Sequence, residues 1–358
     1  MRVLVFRLGF LGDTLVALPA LWAVREHFGR ARIDYLSEAS SAPGHVPPEQ
    51  VLPSQGLVDR FITFRSTRSH MFSLAFPALF LRVLRGRYHA LVYLAPSRRS
   101  ARQIRRDLLF FRCAGITQAF GVTGNTQCPD VSDYSQPVEH ETDFLLRHLA
   151  CQGIATPQNL AGRIELGLNR EELSFPDPWM DGAGIPYPAR PRLLAVGPGG
   201  KMPAKVWPME RYEHVVSELI RRHDVWPIVF GGGLDVDFGR RLIATWQRGT
   251  LAAGTLRVRQ AAAVLGRCRG FLGNDTGTMH LAAAAGTRCV AVFSARDLPG
   301  RWDPYGHGHR IFRRRISCEG CMLEICNRGN ECLREIGTDE VIEACSDVIT
   351  GEVRPVRS

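Results

Sequence analysis

A single acid interrupts the apolar opening "MRVLVFRLGFLGDTLVALPAL", and a carboxylate in such a run is costly unless it is solvated, paired or used. Asp13 closes the loop "RLGFLGD", where Gly9 and Gly12 allow a ligand close to the backbone, ahead of a helix whose start favours anions. Its spacing fits two roles equally: an N-cap carboxylate, or an acid that takes a proton in a reaction. Of 45 basic residues only Lys201 and Lys205 are lysine, and both lie in "VGPGGKMPAKVWP" with Gly199 and Gly200. Compact ammonium charges in a Gly/Pro loop suit a phosphate. In "FGGGLDVDFG", Gly232 precedes two acids, Asp235 and Asp237. Helix-start acids explain this run better than a metal-binding D-x-D pair, and Asp235 is placed to meet a ribose hydroxyl. "FLGNDTGTMHLAAAAGT" ends a strand and starts a small-residue helix. Thr276 and Gly277 offer first-turn N–H groups to a phosphate, beside Asp275, with His280 four positions on from Thr276. For His280 a packing role is the simpler reading.

Two further groups carry charge or soft ligands. Cys318, Cys321, Cys326 and Cys332 follow C-x2-C-x4-C-x5-C. They read first as reduced structural thiols, with zinc or iron as the alternative. The segment "SRRSARQIRRDLLFF" places Arg98, Arg102, Arg105 and Arg106 on one helix face, with Ile104, Leu108 and Phe111 on another. Residues 60–112 hold twelve Arg and one acid, Asp107, within a chain of net charge +10. Such a patch attracts an acidic solute or an anionic membrane surface. Nucleic acid is not expected, because the phosphate-type loops fall in the other half.

These groups need a scaffold that presents loops at strand ends. The chain has 358 residues, 45% of them hydrophobic and 22% charged, enough for two cores. Strands at "RVLVFRL", "ARIDYLS", "RFITFR" and "HALVYLA" alternate with helices over 14–28, 72–84, 97–112 and 139–151. The Pro/Gly-dense stretch 163–191 reads as a linker. A second series follows, with strands "RLLAV", "WPIVFG", "GFLGN" and "CVAVFS" and helices over 209–222, 235–246, 258–266 and 276–285. Alternation of this kind implies two doubly wound α/β domains, which bind ligands at the carboxyl ends of their strands. Domains are expected over 1–175 and 190–335, facing each other across a cleft, with a helix and tail over 336–358 that packs back on the first. Arg7 and Asp13 break what would be a signal-peptide core, and the apolar stretch around Pro77 is about half of the roughly 20 residues that a span needs. A cytoplasmic chain is expected. Neither G-x-G-x-x-G nor the Walker pattern occurs.

Taken in order, the motifs resemble glycosyltransferase family 9, the ADP-heptose:lipopolysaccharide heptosyltransferases. "RLGFLGDTLVALPAL" is similar to the family's opening motif, "PGGKMPAKVWPMERY" to its H-P-G-x-x-x-x-K-x-W-P loop, and "GNDTGTMHLAAAAGT" to its D-[ST]-G-x-x-H-x-A-A signature. "RWDPYG" and the cysteine group are also similar, while Gly197 stands where the family has His. The resemblance implies a GT-B fold and inverting, metal-independent transfer from ADP-heptose. It implies Asp13 as general base and Lys205 as the donor-phosphate contact. Asp275, Thr276 and Gly277 would line donor sugar and diphosphate, with His280 near them and Asp235 near the ribose. The implied acceptor is an acidic lipid A–Kdo core at the inner membrane, with the chain bound peripherally through its arginines. Two alternatives stay open: glycosyl transfer to a protein with metal on the cysteines, and a nucleotide-sugar epimerase of the same fold.

Overall fold

A computed structural model of the chain describes residues 1–39, 44–53, 55–65, 75–96, 99–122, 136–157, 159 and 161–351. It divides into two compact units, Met1–Ser132 with Glu139–Gly167, and Asp133–Val138 with Leu168–Ser358.

The first unit is built on strands β1 (Arg2–Phe6), β2 (Arg32–Glu38), β3 (Arg60–Phe64), β4 (Ala90–Tyr93) and β5 (Gln118–Phe120). They pair in parallel in the order β3-β2-β1-β4-β5. Val3, Leu4 and Val5 are fully buried, as a strand covered on both faces requires. The helices are α1 (Leu11–Val16), α2 (Leu18–Phe28), α3 (Ala75–Gly86), α4 (Ala101–Cys113) and α5 (Glu141–Ala150). The single helix expected over 14–28 is two, parted at Ala17, with Pro19 in the first turn of the second. Proline has no N–H to give to the carbonyl four residues back, so the ladder stops there.

In the second unit α6 (Arg170–Ser174) and α7 (Pro176–Gly182) come first, inside the stretch expected as linker. They are tied down: Glu172 makes a two-pronged contact with Arg259 at 2.5 and 2.7 Å, and Asn169 with Glu172 forms a reciprocal helix cap. Six strands follow: β6 (Leu193–Gly197), β7 (Trp226–Val229), β8 (Thr250–Leu251), β9 (Gly270–Asn274), β10 (Cys289–Phe293) and β11 (Arg310–Arg313). Their order is β11-β10-β9-β6-β7-β8, again with parallel neighbours. The unit's other helices are α8 (Met209–His223), α9 (Val236–Trp246), α10 (Val258–Leu265), α11 (Gly277–Ala284), α12 (Glu331–Arg334) and α13 (Thr338–Thr350). Helix α13 was expected to pack back on the first domain. It is part of the second unit's core, where Val341, Ile342, Cys345 and Val348 join Tyr212, Val216, Leu219 and Val290.

Both sheets are doubly wound, and each reverses direction at one place: between β1 and β4 in the first, between β6 and β9 in the second. Loops on either side of such a reversal splay apart and leave a crevice at the strands' carboxyl ends. The loop before Asp13 follows β1, the lysine loop follows β6, and Asp275 follows β9. Among the described residues no helix is long and apolar enough to cross a membrane.

Candidate active site

At the first reversal point the chain leaves β1 through Arg7, Leu8 and Gly9. Gly9 has φ +131°, and a Cβ there would overlap the Asp13 side chain, so only glycine fits. Asp13 is the third residue of α1 rather than its N-cap, and its Oδ2 accepts from the Phe10 N–H at 2.8 Å. The side chain stays 22% exposed, which leaves the carboxylate open to a substrate. Arg7 is fully buried beneath it. Its Nε donates to the Asp13 carbonyl at 3.1 Å and its Nη1 to the Leu94 carbonyl at 2.6 Å. The guanidinium lies 3.7 Å from the Asp13 carboxylate and 3.8 Å from that of Glu141, which is itself fully buried. Burial raises the Asp13 pKa above 3.8, and the Arg7 charge offsets part of that rise. The result is a held, partly solvated carboxylate with increased proton affinity, the character of a general base. Sequence spacing assigns neither Arg7 nor Glu141 a place in the site. The available signal was an arginine at the end of a buried strand, which must find an acid.

Arg102, Arg105 and Arg106 are exposed on α4, while Arg98 lies outside the described residues. Ile104 and Phe111 are buried as expected, and Leu108 is half-buried. Asp107 is buried with them: it accepts from Tyr93 Oη at 2.9 Å and pairs with Arg99.

At the second reversal point Lys205 Nζ meets Asp275 Oδ2 at 2.5 Å, with side chains 15% and 6% exposed. Lys201 is exposed. Asn274, fully buried, ties the two loops together. Its Nδ2 donates to the Pro198 and Gly199 carbonyls at 2.7 and 3.0 Å, and its Oδ1 accepts from Trp207 N–H at 3.1 Å and Tyr212 Oη–H at 2.8 Å. Every polar position of the amide is used, so Asn274→Ala should destabilise the chain by roughly 2–4 kcal/mol, because several buried groups lose partners at once. Thermal melting would detect it, and an unchanged midpoint would remove Asn274 from this role.

Asp235 follows the glycine run, just before α9. Its carboxylate accepts from Gly232 N–H at 2.7 Å and from the Gly200 N–H, and a Cβ at Gly199 or Gly231 would overlap it. It thus joins the glycine run to the lysine loop, and burial raises its pKa. Thr276 is the N-cap of α11, yet its side chain makes no capping bond; Gly277 and Thr278 begin the helix. His280 is buried, its ring edge-on to Trp302 at 6.4 Å between centroids.

Asp303, in "RWDPYG", was not assigned a role from sequence. Burial and the nearby Asp275 charge push its pKa up to about 6, against a smaller opposing effect of Arg313. Between pH 3.8 and about 6 the folded chain therefore holds a proton that the unfolded chain has released, and stability falls as pH rises through that window. Asp303→Asn is expected to flatten this fall, measured as denaturant midpoints across the pH series. An unaltered slope would contradict it.

Cys318, Cys321 and Cys326 are half-buried and Cys332 is buried. Cys332 Sγ accepts from Ala295 N–H at 3.4 Å, and burial, with the neighbouring Cys326 and Cys318, raises its thiol pKa. Among the described residues, no three His, Cys, Asp or Glu side chains are grouped to hold a metal.

Comparison with known proteins bears on the whole chain. The model of glycosyltransferase family 9 (heptosyltransferase) matches residues 137–330. Lipopolysaccharide heptosyltransferase 2 of Salmonella typhimurium strain LT2 is 30% identical over 129 residues, which is 34% of this chain and 36% of that protein. The aligned stretch thus spans about a third of that relative. In three dimensions the chain superposes on a family 9 glycosyl transferase from Veillonella parvula with a TM-score of 0.73 and 20% identity, covering 98% of this chain and 97% of the other. E. coli ADP-heptose LPS heptosyltransferase II gives 0.70 and 21%, covering 98% and 99%. Both likenesses show the same fold, with one parallel sheet in each α/β unit and the GT-B architecture. The family match extends over more than half of the sequence, from the end of the first unit through the lysine loop and the Asp275 turn, and on that ground this chain belongs to glycosyltransferase family 9.

Proposed function

We propose that the chain transfers heptose from ADP-heptose to an acidic lipopolysaccharide inner-core acceptor, with inversion at the anomeric carbon. The observation that carries this reading is the pairing of chemistries: a held carboxylate at one reversal point, and a lysine–aspartate pair beside a helix start at the other. The first unit, within 1–175, binds the acceptor, and the second, within 190–335, binds the donor. An acceptor hydroxyl attacks the anomeric carbon and passes its proton to Asp13. The new C–O bond forms as the bond to the diphosphate oxygen breaks, and ADP leaves with that electron pair. Lys205, Lys201 and the N–H groups at Thr276 and Gly277 meet the charge that develops on the leaving group, a task a metal ion performs in other transferases. Gly199, Gly200 and Gly232 let the nucleotide approach, Asp235 faces the ribose, and Asp275 with His280 holds the sugar. Arg102, Arg105 and Arg106 contact acceptor phosphates, with Arg98 assigned the same role. Such an acceptor places the enzyme at the cytoplasmic face of the inner membrane.

The test is incubation with ADP-heptose and lipid A–Kdo acceptors, with and without chelator, and mass detection of product. A heptosylated acceptor in both samples is expected. No product, or product only without chelator, would overturn the reading or its metal-free form. Release of an altered nucleotide sugar without acceptor would identify an epimerase.

A further inference from the structure

A second cationic site lies at the amino ends of the first sheet, away from Asp13. Arg2 begins β1 and Arg60 begins β3, while Arg82 and Arg85 come from the second half of α3. With Ile62 and Tyr88 they line a cavity of about 350 Å³, within the size range of small-ligand sites. β1 separates this end from the other by four residue steps, on the order of 13 Å. The rim is short of negative charge. Asp34 is buried and already engaged, accepting from Tyr88 Oη at 2.7 Å and Arg32 Nε at 2.9 Å and lying 3.6 Å from Arg2 Nη2. Among the described residues Arg60, Arg82 and Arg85 have no ion-pair partner, and Arg2 Nε is buried without an acceptor. Guanidinium groups sharing one space repel each other until an anion enters, and their planar forks match phosphate oxygens.

The surroundings select the kind of phosphate. Leu81 and Leu84 are 44% and 41% exposed, on the same helix as Arg82 and Arg85. Phe80 of α3 meets Phe110 of α4 at 5.7 Å between ring centroids, so the two helices adjoin. There Leu109 is 62% exposed, among the exposed Arg102, Arg105, Arg106 and Arg112. Exposed leucines interleaved with arginines suit the headgroup–acyl boundary of an anionic bilayer better than a free solute. We propose that the Arg2/Arg60/Arg82/Arg85 cavity seats a phospholipid headgroup phosphate and that α3 and α4 lie on the bilayer around it. This deepens the membrane-facing part of the proposed function and uses neither Asp13 nor Lys205.

The full chain is sedimented with phosphatidylcholine vesicles, alone or mixed with phosphatidylglycerol. Binding to the mixed vesicles only is expected, reduced at least about 10-fold in the Arg82→Glu/Arg85→Glu variant and weakened in Leu81→Ser/Leu84→Ser. Thermal melting and ADP affinity of both variants should match the parent, which excludes unfolding. Equal binding to both vesicle types, or parental binding by the arginine variant, overturns the proposal. So does a melting shift with inorganic pyrophosphate that the arginine variant loses, if no vesicle is bound: the ligand is then a free phosphate compound. If vesicles bind as expected but ADP does not bind the parent, the transferase reading fails and the lipid site stands.

Discussion

Asp13→Asn is expected to lower the rate of sugar transfer by about 10²–10⁴-fold, the usual contribution of a positioned general base. The substitution keeps the size of the side chain and an acceptor for the Phe10 N–H, so the start of α1 should survive. Arg7 loses one ionic neighbour but keeps its bonds to the Asp13 and Leu94 carbonyls. Donor affinity should therefore be unchanged while the single-turnover rate collapses. A pH profile adds a second check. The base is the ionised form, and burial raises its pKa above 3.8, so the rate should be full above that raised value and fall as pH drops through it. The residual activity of the variant should lack this limb. A variant within a few-fold of the parent would return Asp13 to the role of a helix-start acid.

Lys205→Ala is expected to cost two things that a double substitution separates. Removing the ammonium leaves Asp275, nearly buried, without its ion-pair partner, and stability should fall by roughly 2–4 kcal/mol. It also removes fixed positive charge from the proposed leaving-group site, which should weaken ADP binding and slow transfer by at least about 100-fold. Adding Asp275→Asn removes the stranded carboxylate, so the melting temperature should recover much of its loss while ADP affinity and transfer do not. Recovery of both would mean that the lysine acts only through stability. ADP affinity equal to the parent in the single variant would take Lys205 out of the donor site.

Local patterning carried the scaffold a long way. Buried central strands such as Val3–Val5 and 193–196 are continuous apolar runs because helices cover both faces of the sheet, and that is visible in the residues alone. The strands that the apolar pattern does not mark, β5, β8 and β11, all lie at sheet edges, where one neighbour is missing and exposed Gln or half-exposed Thr and Arg break the apolar run. The stretch 163–191 read as linker from its Pro and Gly content. Its two helices are short, and packing with α10, including the Glu172–Arg259 pair, holds them rather than intrinsic propensity.

At the site the division is sharper. Loop glycines, the placement of Asp13 after β1, the rarity of lysine and the turn at Asp275 all depend on neighbours a few residues away, so spacing reveals them. Arg7 beneath Asp13 and against Glu141, Asn274 bridging the lysine loop to Trp207 and Tyr212, Asp303 beside Asp275, and four arginines around one cavity join residues from distant segments. Those partners meet only once strand order and register are set, and electrostatic interaction depends on separations of a few ångströms that no linear spacing encodes. Sequence named the groups that can do the chemistry; folding chose which charges stand beside them.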